Sequence, residues 1–124
     1  MSLATTIISV LLIAFFLFAS SIKLTGWQKQ IFAIQLQFFH SYGLDRMMMF
    51  LVGIIELFGA VTIGFQNHPV GLFGALAIFF TSVGAIGFHL KFDSWKDGIP
   101  AFVTASLSAF LLFQHPCVTT LLAE

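Results

Sequence analysis

The apolar positions of this chain come in long blocks, not in the alternation of a strand or the single stripe of a soluble helix. From Leu3 to Leu24 it reads LATTIISVLLIAFFLFASSIKL, with no charge before Lys23. Such a run is about what crosses a hydrocarbon core of roughly 30 Å, so it predicts a first span. A secretory signal is the rival, given the small residues Ala19, Ser20 and Ser21. The basic n-region of such a signal is missing, and the run is expected to stay as a span.

From Trp27 to Phe39 the texture changes: Trp27, Ile31, Ile34 and Phe38 recur at helical spacing while Gln28, Lys29, Gln30, Gln35 and Gln37 interrupt them. That predicts an amphipathic helix lying in the membrane interface, although the alternation of Ile34, Leu36 and Phe38 leaves strand geometry open. His40 to Gly43 read as a turn. A second span is expected over 47–65, and Gln66 to Pro69 make a turn short enough to form an antiparallel hairpin with a third span over 70–90. Lys91 to Gly98 form a polar loop. The fourth and shortest span runs over 99–113, with Pro100 in its first turn, where a missing N–H is harmless. In the tail from Gln114 to Glu124, Pro116 reads as a breaker and the stretch after it as weakly apolar. The expected fold is all-α, a single transmembrane domain over 1–124 built as a four-helix antiparallel bundle.

Composition explains why the solvent must be lipid. Of 124 residues 59 % are hydrophobic and 8 % charged, against roughly a quarter charged in a soluble domain. A globule of this size could not hide that excess from water. Five basic and five acidic residues balance to zero net charge, with no basic run, which argues against a nucleic-acid partner. Cys117 is the only cysteine, so no intramolecular disulfide or Cys-x-x-Cys pair exists. Lys23, Lys29, Arg46, Lys91 and Lys96 all fall in the first and third connections. The positive-inside rule makes those connections cytoplasmic and puts both termini on the outer face of an inner, or plasma, membrane.

Candidate chemistry centres on Glu56, about ten residues into its helix and so roughly 15 Å deep. Facing lipid, a carboxylate there would cost at least about 2.5–3.5 kcal/mol, so it is expected to face the bundle. The strip around it, Val52, Gly53, Ala60 and Gly64, is small enough for another backbone to come close. Lys23 is its nearest charged partner, with Ser20 one turn away; Thr81 and Ser82 on the third span, Thr104 and Ser108 on the fourth, and His89 share the same half of the membrane. These eight residues define a candidate ligand-binding pocket. Two readings stay open for each: Glu56 and the hydroxyls could simply fasten helices, Lys23 could snorkel to the interface, and His89 could be an ordinary interfacial histidine. No catalytic residue is identifiable. No metal site is expected, since His40, His68 and His115 lie too far from His89.

SSIKLTG, from Ser20 to Gly26, resembles the small-x-x-Lys-Leu-x-Gly signature that closes the first span of the DoxX-like membrane proteins. YGLDRMMMFLVGIIELFGA, Tyr42 to Ala60, is similar to that family's Gly-Leu turn and its helix with Gly-x-x-Glu and a small pair, and SVGAIGFH, Ser82 to His89, to its Gly-Ala run. The resemblance implies a compact four-helix bundle linked to redox systems. Relatives serve as the membrane subunit of a thiosulfate:quinone oxidoreductase, accompany catechol and quinone detoxification, or join oxidative-stress enzymes; distant ones resemble receptor-assembly chaperones. On this basis the expectation is an accessory subunit whose intramembrane pocket takes a quinone or other lipid-soluble ligand, with no covalently bound cofactor. Its expected partners are membrane lipid, a soluble redox enzyme or membrane protein, and a second copy of itself. The alternative is a non-enzymatic structural or assembly subunit that recruits a partner. A proton-coupled transporter is third, disfavoured by the lack of discontinuous helices and of an inverted repeat.

Overall fold

The structure, a computed structural model, describes residues 2–123, and all regular structure among them is α-helical. Six helices follow in order: α1 (Leu3–Thr25), α2 (Lys29–Ser41), α3 (Arg46–Thr62), α4 (Pro69–Phe92), α5 (Ile99–Gln114) and α6 (Pro116–Ala123). Local chemistry sets most of the ends. Ser2 Oγ accepts the Thr5 N–H at 3.1 Å and Asp45 Oδ1 that of Met48 at 3.0 Å, each satisfying an N–H that the first turn leaves free. Gly26, at φ 71°, closes α1 by donating to the Ile22 carbonyl at 2.7 Å, a left-handed position that suits glycine. Arg46 then covers the same end, its Nη2 donating to the Leu24 carbonyl at 3.2 Å while its guanidinium lies 5.0 Å from the Phe32 ring.

Helix α1 packs on α3 and α5, α3 on α4, and α4 on α5, while α2 leans on α1 and α3. Leu12, Phe16, Ala60, Ile63, Ala75, Ile78 and Leu111 form the core where α1, α3, α4 and α5 meet. The outer surface is apolar as well: Val10, Phe58, Phe73, Val103 and Phe113 all stand exposed. Such a surface matches lipid better than water. Helices α1 and α4 are each long and apolar enough to cross a membrane, and α5 with α6, bent by 59°, would make a third crossing as a broken pair. Helix α3 has 17 residues, about 25 Å of rise, and by itself falls short of the roughly 20 residues a span needs.

Several boundaries differ from the sequence reading. The segment after Trp27 is a helix, removing the strand alternative, and it continues through Ser41. Helix α3 stops at Thr62 instead of 65, because the Gln66 side chain turns back to donate to the Ile63 carbonyl and buries itself there. Pro69 opens α4 in place of ending the turn, with His68 Nδ1 accepting the Val70 N–H. The tail is a helix too, since Pro116 occupies a first-turn position and starts α6 instead of breaking structure.

Candidate functional site

Gly53 is what brings α1 and α3 together at the deep carboxylate: a Cβ there would stand 2.9 Å from the Lys23 Cβ. With the backbones this close, Lys23 Nζ lies 3.0 Å from Glu56 Oε1, and the two side chains are only 10 % and 8 % exposed. Lys23 therefore turns inward and does not snorkel. The approach is within ion-pair distance, but its angle leaves Oε1 without a directed hydrogen bond. Charge proximity, not a well-aligned donor, holds the pair, which is the weaker of the two ways to offset burial.

Beside the pair opens a cavity of about 680 Å³, within the range of small-molecule sites. Phenylalanines dominate its wall, Phe15 and Phe16 from α1, Phe38 and Phe39 from α2, Phe80 and Phe88 from α4. Of the sequence candidates, Lys23, Glu56, Thr81, Ser82, His89 and Thr104 line it. Ser20 and Ser108 do not. Both are fully buried, and each donates to a carbonyl of its own helix, Ser20 to Leu17 at 3.3 Å and Ser108 to Thr104 at 2.7 Å. Thr81 likewise donates to the Ala77 carbonyl. Ser82 and Thr104 meet between α4 and α5 at 2.7 Å. Because the Thr104 hydroxyl already donates to the Ala101 carbonyl at 3.1 Å, the proton that crosses between these helices belongs to Ser82.

Two residues outside the sequence candidates gather near the end of α4, Tyr42 on the cavity wall and Asp93 bonded to it. Tyr42, just after α2, donates to Asp93 Oδ2 at 2.9 Å and lies 3.0 Å from His89 Nδ1. His89 Nδ1 is 2.7 Å from Asp93 Oδ1. A carboxylate can only accept, so Nδ1 carries the proton and Nε2 is the ring nitrogen left over. Tyr42 is clamped by rings as well, stacking on Phe88 at 4.9 Å and Phe38 at 6.2 Å. Burial, the Asp93 hydrogen bond and the negative charge of Asp93 and Asp97 push its phenol well above the ordinary value. For Asp93 burial works the other way, but hydrogen bonds from His89, the Ser94 N–H and Tyr42 hold the carboxyl below its usual range. The readable signal for this cluster was the four-residue spacing between His89, in the last turn of α4, and Asp93, which caps that helix.

Among the described residues no three His, Cys, Asp or Glu side chains converge as a metal site would require. His115, buried at the α5–α6 corner, is occupied structurally: it lies 3.0 Å from the His68 carbonyl through Nε2 and accepts the Cys117 N–H through Nδ1.

A family model described as DoxX-like matches residues 7–111. The chain belongs to the DoxX-like family. The match takes in α1 to α4 and most of α5, and therefore every residue of the cavity wall named above. Comparison with curated proteins gave no match, and comparison with solved structures gave none either. DoxX-like membership and the apolar helices together mark a membrane protein.

Proposed function

We propose that this DoxX-like protein is an inner-membrane accessory subunit of a redox or quinone-linked system, holding a lipid-soluble ligand such as a quinone in the cavity beside Glu56. Helices α1, α3, α4 and α5 serve as a four-helix antiparallel membrane bundle, with α3 and α5 spanning a locally thinned bilayer and α2 lying at the interface. The carrying observation is the phenylalanine-walled cavity of about 680 Å³ with the Lys23–Glu56 pair on its wall. Aromatic walls favour a flat ring, and Lys23 offers a cationic donor to a carbonyl oxygen. The membership of the family supports the redox setting by analogy alone.

Photolabelling of the purified protein with an azido-quinone bearing a short alkyl chain tests this. Labelled peptides from α2 and α4 are expected, and Ala85→Phe, which fills the cavity from α4, should abolish the labelling while leaving a folded protein. Labelling confined to outward-facing residues such as Phe73 or Phe113, or unchanged in Ala85→Phe, would sink the reading. All five Lys and Arg lie either between the last turn of α1 and the first residue of α3 or between the last turn of α4 and α5, which supports cytoplasmic placement of those ends and outer placement of both termini. A C-terminal reporter active only in the cytoplasm would invert it.

A further inference from the structure

The cavity wall is poor in hydrogen-bond donors. Tyr42 spends its proton on Asp93, Thr81 on the Ala77 carbonyl, Ser82 on Thr104 and Thr104 on the Ala101 carbonyl. The Lys23 ammonium, which faces Glu56, and the Gln35 amide N–H groups remain. Acceptors are in surplus: Gln35 Oε1 and Glu56 Oε1 are buried without a directed donor, and His89 Nε2 is left over by the Asp93 contact. A ligand that supplies a donor satisfies these acceptors, while one that brings only acceptors, such as a quinone, is left to the Lys23 and Gln35 donors.

Resting on the reading that the cavity binds a lipid-soluble ligand, we propose that its ligand carries an aromatic hydroxyl and that His89 Nε2 accepts the proton of that hydroxyl, with Asp93 and Tyr42 as positioning residues. The O–H bond of the ligand breaks, an N–H forms at Nε2, and the electron pair stays on the oxygen as an aromatic oxyanion. The imidazolium so formed keeps its Nδ1–H on Asp93, whose charge it needs. Acidity selects the class: an aromatic hydroxyl near pKa about 10 is within reach of an imidazole, while an aliphatic alcohol is far too weak an acid. The ring fits between Phe38, Phe80 and Phe88. The other charged groups on this wall are Lys23, Glu56 and Asp97. Lys23 would favour the oxyanion, whereas the two carboxylates would oppose it.

The probe is 2-hexyl-4-nitrophenol, whose anion absorbs in the visible, titrated against the full chain in detergent at several pH values. Binding should lower the probe's apparent pKa by about one unit or more relative to empty micelles, the size of effect that a nearby opposite charge produces. His89→Gln and Asp93→Asn should still bind the probe and lose that shift, and Tyr42→Phe should reduce it. Nitrogen-15 histidine spectra should show Nε2 gaining a proton on probe binding, in a signal that His89→Gln removes. Binding without a pKa shift overturns the proton step and leaves the cavity reading standing. A shift that survives in His89→Gln overturns it too and hands the role to Lys23. Failure of the wild-type protein to bind the probe removes both readings.

Discussion

The first half of α4 meets the end of α3 through Gly74 and the turn that follows it through Gly71, while the second half, past Ser82, runs beside the cavity with Gly84 and Gly87 set against nothing. A Cβ on Gly71 would stand 2.8 Å from the Phe65 carbonyl carbon, and one on Gly74 would stand 2.9 Å from the Ile63 nitrogen; at Gly84 and Gly87 no atom lies within 4 Å. Around the first pair the core residues Ile63, Ala75, Ile78 and Leu111 are wholly buried. Beyond Ser82 the same helix borders the hollow lined by Lys23, Glu56 and His89. Small residues thus do opposite things along one helix. In lipid, where no hydrophobic force draws helices together, close backbone approach binds one half through dispersion. In the other half the missing side chains leave room, and the Lys23–Glu56 pair between α1 and α3 and the Ser82–Thr104 bond between α4 and α5 tie neighbouring helices together.

The largest effect should come from breaking the pair that holds the hollow half. Lys23→Met leaves the Glu56 carboxylate buried and alone, and should lower unfolding free energy by about 3–5 kcal/mol. The double variant Lys23→Met with Glu56→Gln should recover most of that loss. Unfolding of the four proteins in mixed detergent micelles gives the coupling directly. Additive single effects would show that the two charges do not support each other, and the contrast between the halves would then rest on packing alone.

Next in size is the glycine comparison itself. Gly74→Ala forces a methyl against the α3 backbone and should cost about 1–3 kcal/mol. Gly84→Ala meets no neighbour and should stay within about 0.5 kcal/mol of the parent. Thermal aggregation midpoints in one detergent suffice to rank them. If Gly84→Ala proved as damaging as Gly74→Ala, the second half of α4 would be as tightly packed as the first.

How much of this was readable in the sequence depended on how local the cause was. The extents of α1, α4 and α5 follow from long apolar runs bounded by Gly26, Pro69 and Pro100, and the structure departs from them by two residues at most. The end of α3 could not be read, because Ile63, Gly64 and Phe65 continue the apolar pattern and the stop comes from the Gln66 side chain and the approach of α4. The contact of Lys23 with Glu56 was legible, since Glu56 is the one acidic residue deep in an apolar run and Lys23 the nearest base. Tyr42 was not, because it reaches His89 and Asp93 across 47 and 51 residues of chain, a separation with no local signature. Ser20 and Ser108 share their type and depth with Ser82, yet each hydroxyl closes onto its own helix. Periodicity cannot tell a serine that bonds its own turn from one that crosses to a neighbour.

A smaller effect should follow pH, at the junction of α2 with the hollow half. The folded Asp93 titrates below its ordinary range, so its contribution is complete above about pH 4 and is lost as pH falls through the folded value. Tyr42 titrates above its ordinary value, so its contribution is complete below about pH 10 and is lost as pH rises through the folded one. Amide hydrogen exchange in α2 should accordingly be slowest, relative to intrinsic rates, between those limits. Asp93→Asn should flatten the acid side and Tyr42→Phe the alkaline side. Protection that tracks pH identically in α2 and in the Ile63–Ile78 core would mean that the junction does not respond as a separate region.

The smallest expected effect concerns the one neutral hydrogen bond that crosses between helices at the cavity wall. Ser82 supplies its proton to Thr104, whose own proton goes to the Ala101 carbonyl. Removing the Ser82 hydroxyl therefore leaves no buried donor without an acceptor: Thr104 keeps its bond and loses only a contact to one lone pair. Ser82→Ala should cost about 0.6 kcal/mol, the average for a polar contact between membrane helices. Thr104→Val removes the acceptor instead and forces the Ser82 proton back onto a carbonyl of its own helix, as Ser108 does. That escape is open to any serine in a helix, so its cost should be equally modest. The double variant Ser82→Ala with Thr104→Val should then be no worse than the two singles combined, because each bond is replaceable. A loss several times larger in Ser82→Ala, measured by the same micelle unfolding, would mean that this hydroxyl pair between α4 and α5 holds the hollow half as strongly as the Lys23–Glu56 pair does between α1 and α3.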